Sequence, residues 1–185
     1  GTDGAPPICI AGRDLPETDQ TPIRVILGPQ DDYFDPNVIA QFLSSTFQVS
    51  TRVDRMASVL DGAPLIAARG HDIISDGTVP GAIQVPGSGQ PLILMADAQT
   101  TGGYPKIATI IGADLRRVAQ TPPGHALLFA AVTSEEAEAA LLGCRNRHRA
   151  ILKSVRIAEF GQPGTARLFG ANLISGVWGR ETGNE

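Results

Sequence analysis

Aromatic residues are scarce: one tryptophan, two tyrosines and six phenylalanines, 5% of 185 residues. Few stacking platforms are therefore on offer to single-stranded nucleic acid, and Val, Ile, Leu and Ala must fill the core. Basic charge is also short. Fifteen Lys and Arg against nineteen Asp and Glu give a net charge of −4, so no electrostatic pull acts toward a phosphate backbone or an anionic bilayer. No apolar run approaches the roughly 18 residues of a membrane span. The opening GTDGAPPICIAGRD lacks the basic and apolar regions of a secretory leader. The only two cysteines, Cys9 and Cys144, lie far apart without metal-ligand spacing; they read as reduced thiols in a cytoplasmic protein.

The usual catalytic signatures are missing as well. The chain has no GxSxG elbow, no HExxH, no CxxC pair and no GxxxxGK[ST] phosphate loop. His71, His125 and His148 sit in unrelated contexts, and His148 reads as a solvated charge in a basic helix end. Cys144 lies among small residues on a helical stretch, the setting of a structural thiol.

What is present is a succession of short apolar runs cut by turn residues. Residues 23–27 (IRVIL) read as a strand ended by Gly28-Pro29. Asp35 and Pro36 predict a helix start, with Asp35 as the cap and Val38, Ile39, Phe42 and Leu43 at helical spacing. Residues 46–53 alternate as a strand does. The pairs Val59-Leu60, Leu65-Ile66 and Ile73-Ile74 and the run 82–85 are further short strands, followed by 92–95, 106–111 and 126–131. A short helix fits 112–120, starting near Asp114. A long one fits 133–151, with Ser134 as cap, acidic residues first and Arg145, Arg147 and Arg149 last. Residues 154–160 predict a final strand. This pattern predicts a mostly β fold closed as a small barrel with a few helices. Residues 1–21 read as a linker from a preceding portion, 22–160 as the barrel domain and 161–185 as a Gly-rich tail with a frayed end.

Residues 91–106 (PLILMADAQTTGGYPK) concentrate the chemistry. An all-apolar strand, Leu92 to Met95, runs straight into a loop carrying Asp97, Gln99, Thr100 and Thr101, then Gly102-Gly103, then Tyr104-Pro105 and Lys106. The amide and hydroxyls suit a carboxylate, ureido or amide group. The two glycines permit φ > 0 or a close approach, and their N–H groups offer a small anion nest, with Lys106 adding a charge. Gln84 is a lone polar residue in an apolar, proline-bracketed strand at 79–87 (VPGAIQVPG).

These residues carry a resemblance. The stretch 91–124, with VPGAIQVP and GPQDDYF (28–34), resembles the biotin-dependent carboxyltransferase subunit-2-like family, variously called allophanate hydrolase subunit 2, KipA or the C component of 5-oxoprolinase. The resemblance runs from about residue 23 to residue 129 and implies a cyclophilin-like β-barrel. It implies Gln99, Thr100, Thr101 and Tyr104 as catalytic residues, and Gln84, Asp97, Gly102, Gly103, Lys106 and Arg55 as substrate-binding ones. Arg55 sits in DRMASVLDG, where Ala57 and Val59 replace the family's usual glycine and arginine.

The resemblance further implies a KipI-like subunit 1 as partner and, in one branch, a large third subunit. No cofactor would be bound by this chain alone; ATP or carboxybiotin would come through partner subunits. The first function implied is a non-autonomous subunit of a 5-oxoprolinase-type enzyme, opening 5-oxoproline to glutamate at the expense of ATP. The second is a carboxyltransferase component of a biotin-dependent urea carboxylase system. The third is a regulatory protein antagonising a KipI-like kinase inhibitor.

Overall fold

A computed structural model describes residues 8–9 and 21–157. Strand formation follows the apolar runs. β1 is Ile8–Cys9, β2 Ile23–Leu27, β3 Phe47–Val53, β4 Ala57–Asp61, β5 Asp76–Gly77, β6 Ala82–Gln84, β7 Leu92–Leu94, β8 Thr101–Gly102, β9 Lys106–Ile110, β10 Ala126–Leu127, β11 Phe129–Ala131 and β12 Arg156–Ile157. Three helices, α1 (Pro36–Ser44), α2 (Leu115–Ala119) and α3 (Ser134–Ser154), interrupt them. The described residues belong to two units, 16–148 and 1–15 with 149–185. In the second, β1 pairs antiparallel with β12, Ile8 opposite Ile157 and Cys9 opposite Arg156.

Eight strands of the first unit form one sheet in the order β10-β3-β4-β7-β6-β9-β2-β11. Every pairing is antiparallel except β11 with β2. The two edge strands are neighbours in sequence, separated by Leu128 alone, whose carbonyl accepts the Ile23 N–H at 2.7 Å. One short segment therefore serves both edges, which obliges the sheet to curl into a nearly closed barrel and leaves few open edges to aggregate. The predicted mostly β barrel is what forms. The single strand predicted at 126–131 is instead two strands on opposite edges, because an apolar run does not say which neighbour each half pairs with.

The core holds Val25, Phe42, Phe47, Leu60, Ile83, Ile93 and Ile107, all with no exposure. Phe42 from α1 stacks on Phe129 of β11 with ring centroids 4.7 Å apart, and Phe47 of β3 lies 6.0 Å from both.

Several local predictions need correction. The Asp35 side chain makes no capping bond; its backbone carbonyl accepts the Val38 and Ile39 N–H groups. Thr133, not Ser134, caps α3: Thr133 Oγ1 accepts from Glu136 N at 3.3 Å while Glu136 Oε2 accepts from Thr133 N at 2.8 Å, a reciprocal capping box. The Leu65-Ile66 and Ile73-Ile74 strands do not form, Leu65 being buried in a loop and Ile74 94% exposed, and the strand after β4 is β5. The described part of the last predicted strand, β12, pairs with β1. Residues 158–160, the tail 161–185 and most of the 1–21 segment lie outside the described residues.

Asp114, 2% exposed at the start of α2, joins that helix to β2. Its carboxylate accepts Arg24 Nε at 2.9 Å, Arg24 Nη2 at 2.7 Å and the Arg24 backbone N–H at 3.0 Å. Burial acts to raise this pKa, but the hydrogen bonds and charge of Arg24, with Arg117 behind it, hold it below the ordinary carboxylate value. Because the folded pKa is depressed, the stabilisation is complete above about pH 4 and is lost as pH falls through the folded value. Asp114→Ala is expected to cost about 2–3 kcal/mol at pH 7, since Arg24 keeps partial access to solvent. Urea unfolding at pH 7 and pH 3 checks this: the gap between variant and parent must shrink in acid.

Candidate functional site

β5 and β8 form a two-stranded ribbon apart from the barrel sheet, with Asp76 opposite Gly102 and Gly77 opposite Thr101. The ribbon is extended by Thr78 N–H to the Thr100 carbonyl at 3.0 Å and Ile73 N–H to the Gly103 carbonyl at 2.8 Å. Thr78 Oγ1 also donates to the Gln99 carbonyl. In the barrel, Gln84 of β6 stands opposite Lys106 of β9. Opposed residues of an antiparallel pair put their side chains on one face, and here both reach the ribbon. Gln84 lies against Gly102, and Lys106 reaches Asp76, so one rung of the barrel meets one rung of the ribbon.

Contact at the first of these positions requires glycine. A Cβ on Gly102 would lie 2.3 Å from Gln84 Nε2 and 3.0 Å from Thr78 Cγ2, whereas one on Gly103 would come no nearer than 3.7 Å, to the Ile73 carbonyl oxygen. Neither residue is in the left-handed region, which Gly28, Gly70, Gly81, Gly89 and Gly124 occupy. The anion nest expected of Gly102-Gly103 needs that conformation and is not formed. Close approach is what the first glycine supplies.

Between ribbon and barrel lies a cleft of about 210 Å³ lined by Met56, Ala57, Thr78, Gln84, Leu94, Ala98, Gln99, Thr101, Gly102, Gly103 and Tyr104. Six of the sequence-predicted residues thus meet there: Gln84, Gln99, Thr101, Gly102, Gly103 and Tyr104. Gln84 is 5% exposed, and its Nε2 is fully buried with no hydrogen-bond partner. A buried donor left unpaired is costly and rare in folded chains, which singles out Gln84 among the residues of the cleft.

The other four lie elsewhere. Thr100 is exposed and contributes its backbone carbonyl to the ribbon. Arg55 and Asp97 are paired with each other, Nε to Oδ2 at 2.8 Å, outside the lining, and the Asp97 N–H donates to the Arg55 carbonyl. Lys106 is 2% exposed and its ammonium donates to Asp76 Oδ2 at 2.7 Å and the Gly77 carbonyl at 3.0 Å. The charge expected to reach the substrate is therefore spent on the ribbon. Gln30 completes the arrangement: its Nε2 donates to Asp76 at 3.2 Å and its Oε1 accepts the Lys106 N–H at 3.2 Å. The Lys106 hydrogen bond first, then Gln30 and the Gly77 N–H, hold the Asp76 carboxyl below its ordinary pKa.

Asp76, Gln30 and Thr78 were not legible as site residues, since their roles come from pairings distant in sequence. Chemically the cleft offers neutral donors and acceptors over an apolar floor. Among the described residues no His, Cys, Asp and Glu gather into a metal-binding group.

Residues 5–131 match the family described as carboxyltransferase domain, subdomain A and B. The chain is a member of that family. It is 44% identical over 115 residues to the 5-oxoprolinase C component of Escherichia coli K12, covering 62% of this chain and 37% of that protein. It is 50% identical over 84 residues to the Haemophilus influenzae protein of the same name, covering 45% and 27%. The chain thus spans about a third of the length of these curated relatives. Among solved structures, the K. lactis urea amidolyase superposes with a TM-score of 0.65 at 25% identity, covering 75% of this chain and 9% of that one. The Kluyveromyces lactis urea carboxylase gives 0.61 at 26% identity, covering 68% and 12%. The carboxyltransferase match contains every residue that lines the cleft.

Proposed function

We propose that this carboxyltransferase-family chain is a non-autonomous part of a 5-oxoprolinase-type enzyme and that its cleft holds the small cyclic amide substrate. The observation that carries this reading is Gln84 itself: it lines a cleft walled by Gln99, Thr101, Gly102 and Tyr104, and its amide Nε2, buried against Gly102, makes no hydrogen bond. A small turn of the amide toward the cleft offers this N–H to a lactam carbonyl. As charge develops on that oxygen, an amide donor at the edge of a partly apolar cleft stabilises it. Tyr104, Gln99 and Thr101 then set the ring's orientation. The cleft's lining carries no carboxylate, imidazole, thiol or amine to serve as general base or nucleophile. The role of this chain is positioning and electrostatic stabilisation, with ATP chemistry and water activation lying on partner subunits, a KipI-like chain and a large third one, in the cytoplasm.

Support for this reading comes from the two curated relatives, both named as the C component of 5-oxoprolinase. The urea carboxylase neighbours favour a second reading, in which the same donors hold a ureido or urea carbonyl during carboxyl transfer from carboxybiotin carried by another chain. Reconstitution decides between them. The protein is combined with its partner subunits, 5-oxoproline and ATP, and glutamate is measured with each chain omitted in turn. Glutamate that depends on this chain supports the first reading; its absence from an intact complex, with carboxylation of urea by carboxybiotin, supports the second.

Gln84→Met tests the site itself. Replacing an unpaired buried amide with an apolar side chain of similar size is expected to stabilise the isolated chain by about 1 kcal/mol or more. The same change should lower turnover of the complex about a hundredfold. Thermal unfolding and steady-state assays measure the two effects. Full turnover in the variant would remove Gln84 from the site.

A further inference from the structure

The ribbon that walls the cleft is joined to the barrel sheet by side chains and loops, not by strand pairing. Its attachment is unusual in kind. Lys106 is a strand residue with its ammonium sealed from water, and burying a charge is unfavourable unless it is paired and hydrogen-bonded. Its charged partner, Asp76, lies 30 positions earlier on the ribbon and is half exposed. The Gly77 carbonyl takes a second ammonium proton, and Gln30 ties Asp76 to the Lys106 backbone. If the ribbon lifted, Lys106 would lose both acceptors, and its ammonium would be left without the partners that this arrangement gives it. The sealed charge therefore selects the arrangement in which the ribbon is down and Gly102 lies against Gln84. Gln84 and Lys106 share one rung, as do Gly102 and Asp76, so closing the clasp at one side of the rung sets the spacing at the other.

We propose that Lys106, Asp76 and Gln30 form a clasp that fixes the Thr101–Gly102 wall of the cleft to the barrel, acting as positioning residues without touching the substrate. The clasp explains why a lysine opens a strand whose next two residues, Ile107 and Ala108, are fully buried. It does not depend on which amide the cleft accepts.

Hydrogen exchange on the whole chain, followed amide by amide, tests it without any activity assay. In the parent, the Ile73 and Thr78 amides are protected by their bonds to Gly103 and Thr100. Asp76→Asn and Lys106→Met are each expected to speed exchange at these two amides at least about tenfold, while Val25 and Ile110 in the barrel keep their rates. Asp76→Glu, which retains the charge, should restore most of the protection. The double variant Asp76→Asn/Lys106→Met leaves no unpaired charge, so its barrel should regain parental thermal stability while the ribbon stays loose. Unchanged exchange at Ile73 and Thr78 in both single variants would overturn the clasp. Equal acceleration of ribbon and barrel amides, persisting in the double variant, would overturn it too, since the pair would then support the barrel as a whole. Failure of the glutamate assay leaves these outcomes untouched.

Discussion

Gly102→Ala is expected to lower turnover of the assembled complex by roughly a thousandfold or more while the chain stays folded. The added methyl would sit 2.3 Å from Gln84 Nε2, far inside any tolerated contact, so one neighbour must move. Gln84 Nε2 is the end of a flexible side chain, but the open space beside it is the cleft, so turning it aside takes up substrate room. The other route lifts the ribbon, pulling Asp76 away from the sealed Lys106 ammonium. Both routes displace the donor proposed to hold the substrate oxygen, and the second also opens the wall. The cost to the fold is smaller, about 1–3 kcal/mol for a local overpacking, because Gly102 is outside the left-handed region and alanine meets no backbone strain there. Gly103→Ala is the control. Its methyl comes no nearer than 3.7 Å to any neighbour, and turnover within a few-fold of the parent is expected. Parallel melting curves and assays of the two variants read the difference. If Gly102→Ala turned over like the parent, the contact between Gln84 and the ribbon would not matter to the reaction.

The site was legible in part, and the reason differs residue by residue. Gln99, Thr101 and Gly102 stood out because so dense a polar cluster after an apolar strand exceeds what a turn requires, and they do line the cleft. Gln84 stood out as a polar residue in an apolar strand, and it is the cleft's unpaired donor. Lys106 carried the same signal, a charge at the head of a buried strand, yet its meaning was different. Local sequence says that such a charge must be paired but not with what, and the partner, Asp76, is fixed by a ribbon whose strands, two residues each, leave almost no periodicity. The cap of α3 was readable, since Thr133 followed three residues later by Glu136 matches the capping box; a second hydroxyl at Ser134 drew the prediction one residue late. Barrel closure through the split at Leu128 was beyond local patterning, because Ala126–Leu127 and Phe129–Ala131 have the same apolar character and differ only in the edge they meet.

That closure is where the largest stability effect is expected. Phe42→Ala should destabilise the chain by about 3–5 kcal/mol, a large share of the roughly 5–15 kcal/mol that holds a domain together. At about 2–4 °C per kcal/mol for a chain of this size, the melting midpoint falls by roughly 10 °C. Three of the six phenylalanines meet at this point. Phe47 stands opposite Leu127, on the edge strand β10, and Phe129 belongs to the other edge, β11. Phe42, from α1, touches both rings and so spans the seam where the sheet closes. With aromatics so few, no spare ring stands ready to fill the gap. Phe42→Leu, which conserves more of the volume, should cost less than about 1.5 kcal/mol. The effect should also be local before it is global: the Ile23 amide, bonded beside the seam to the Leu128 carbonyl, should exchange faster in Phe42→Ala than the Ile83 amide in mid-sheet. Equal loss of protection at the two would mean that the ring supports the core as a whole and not the seam in particular.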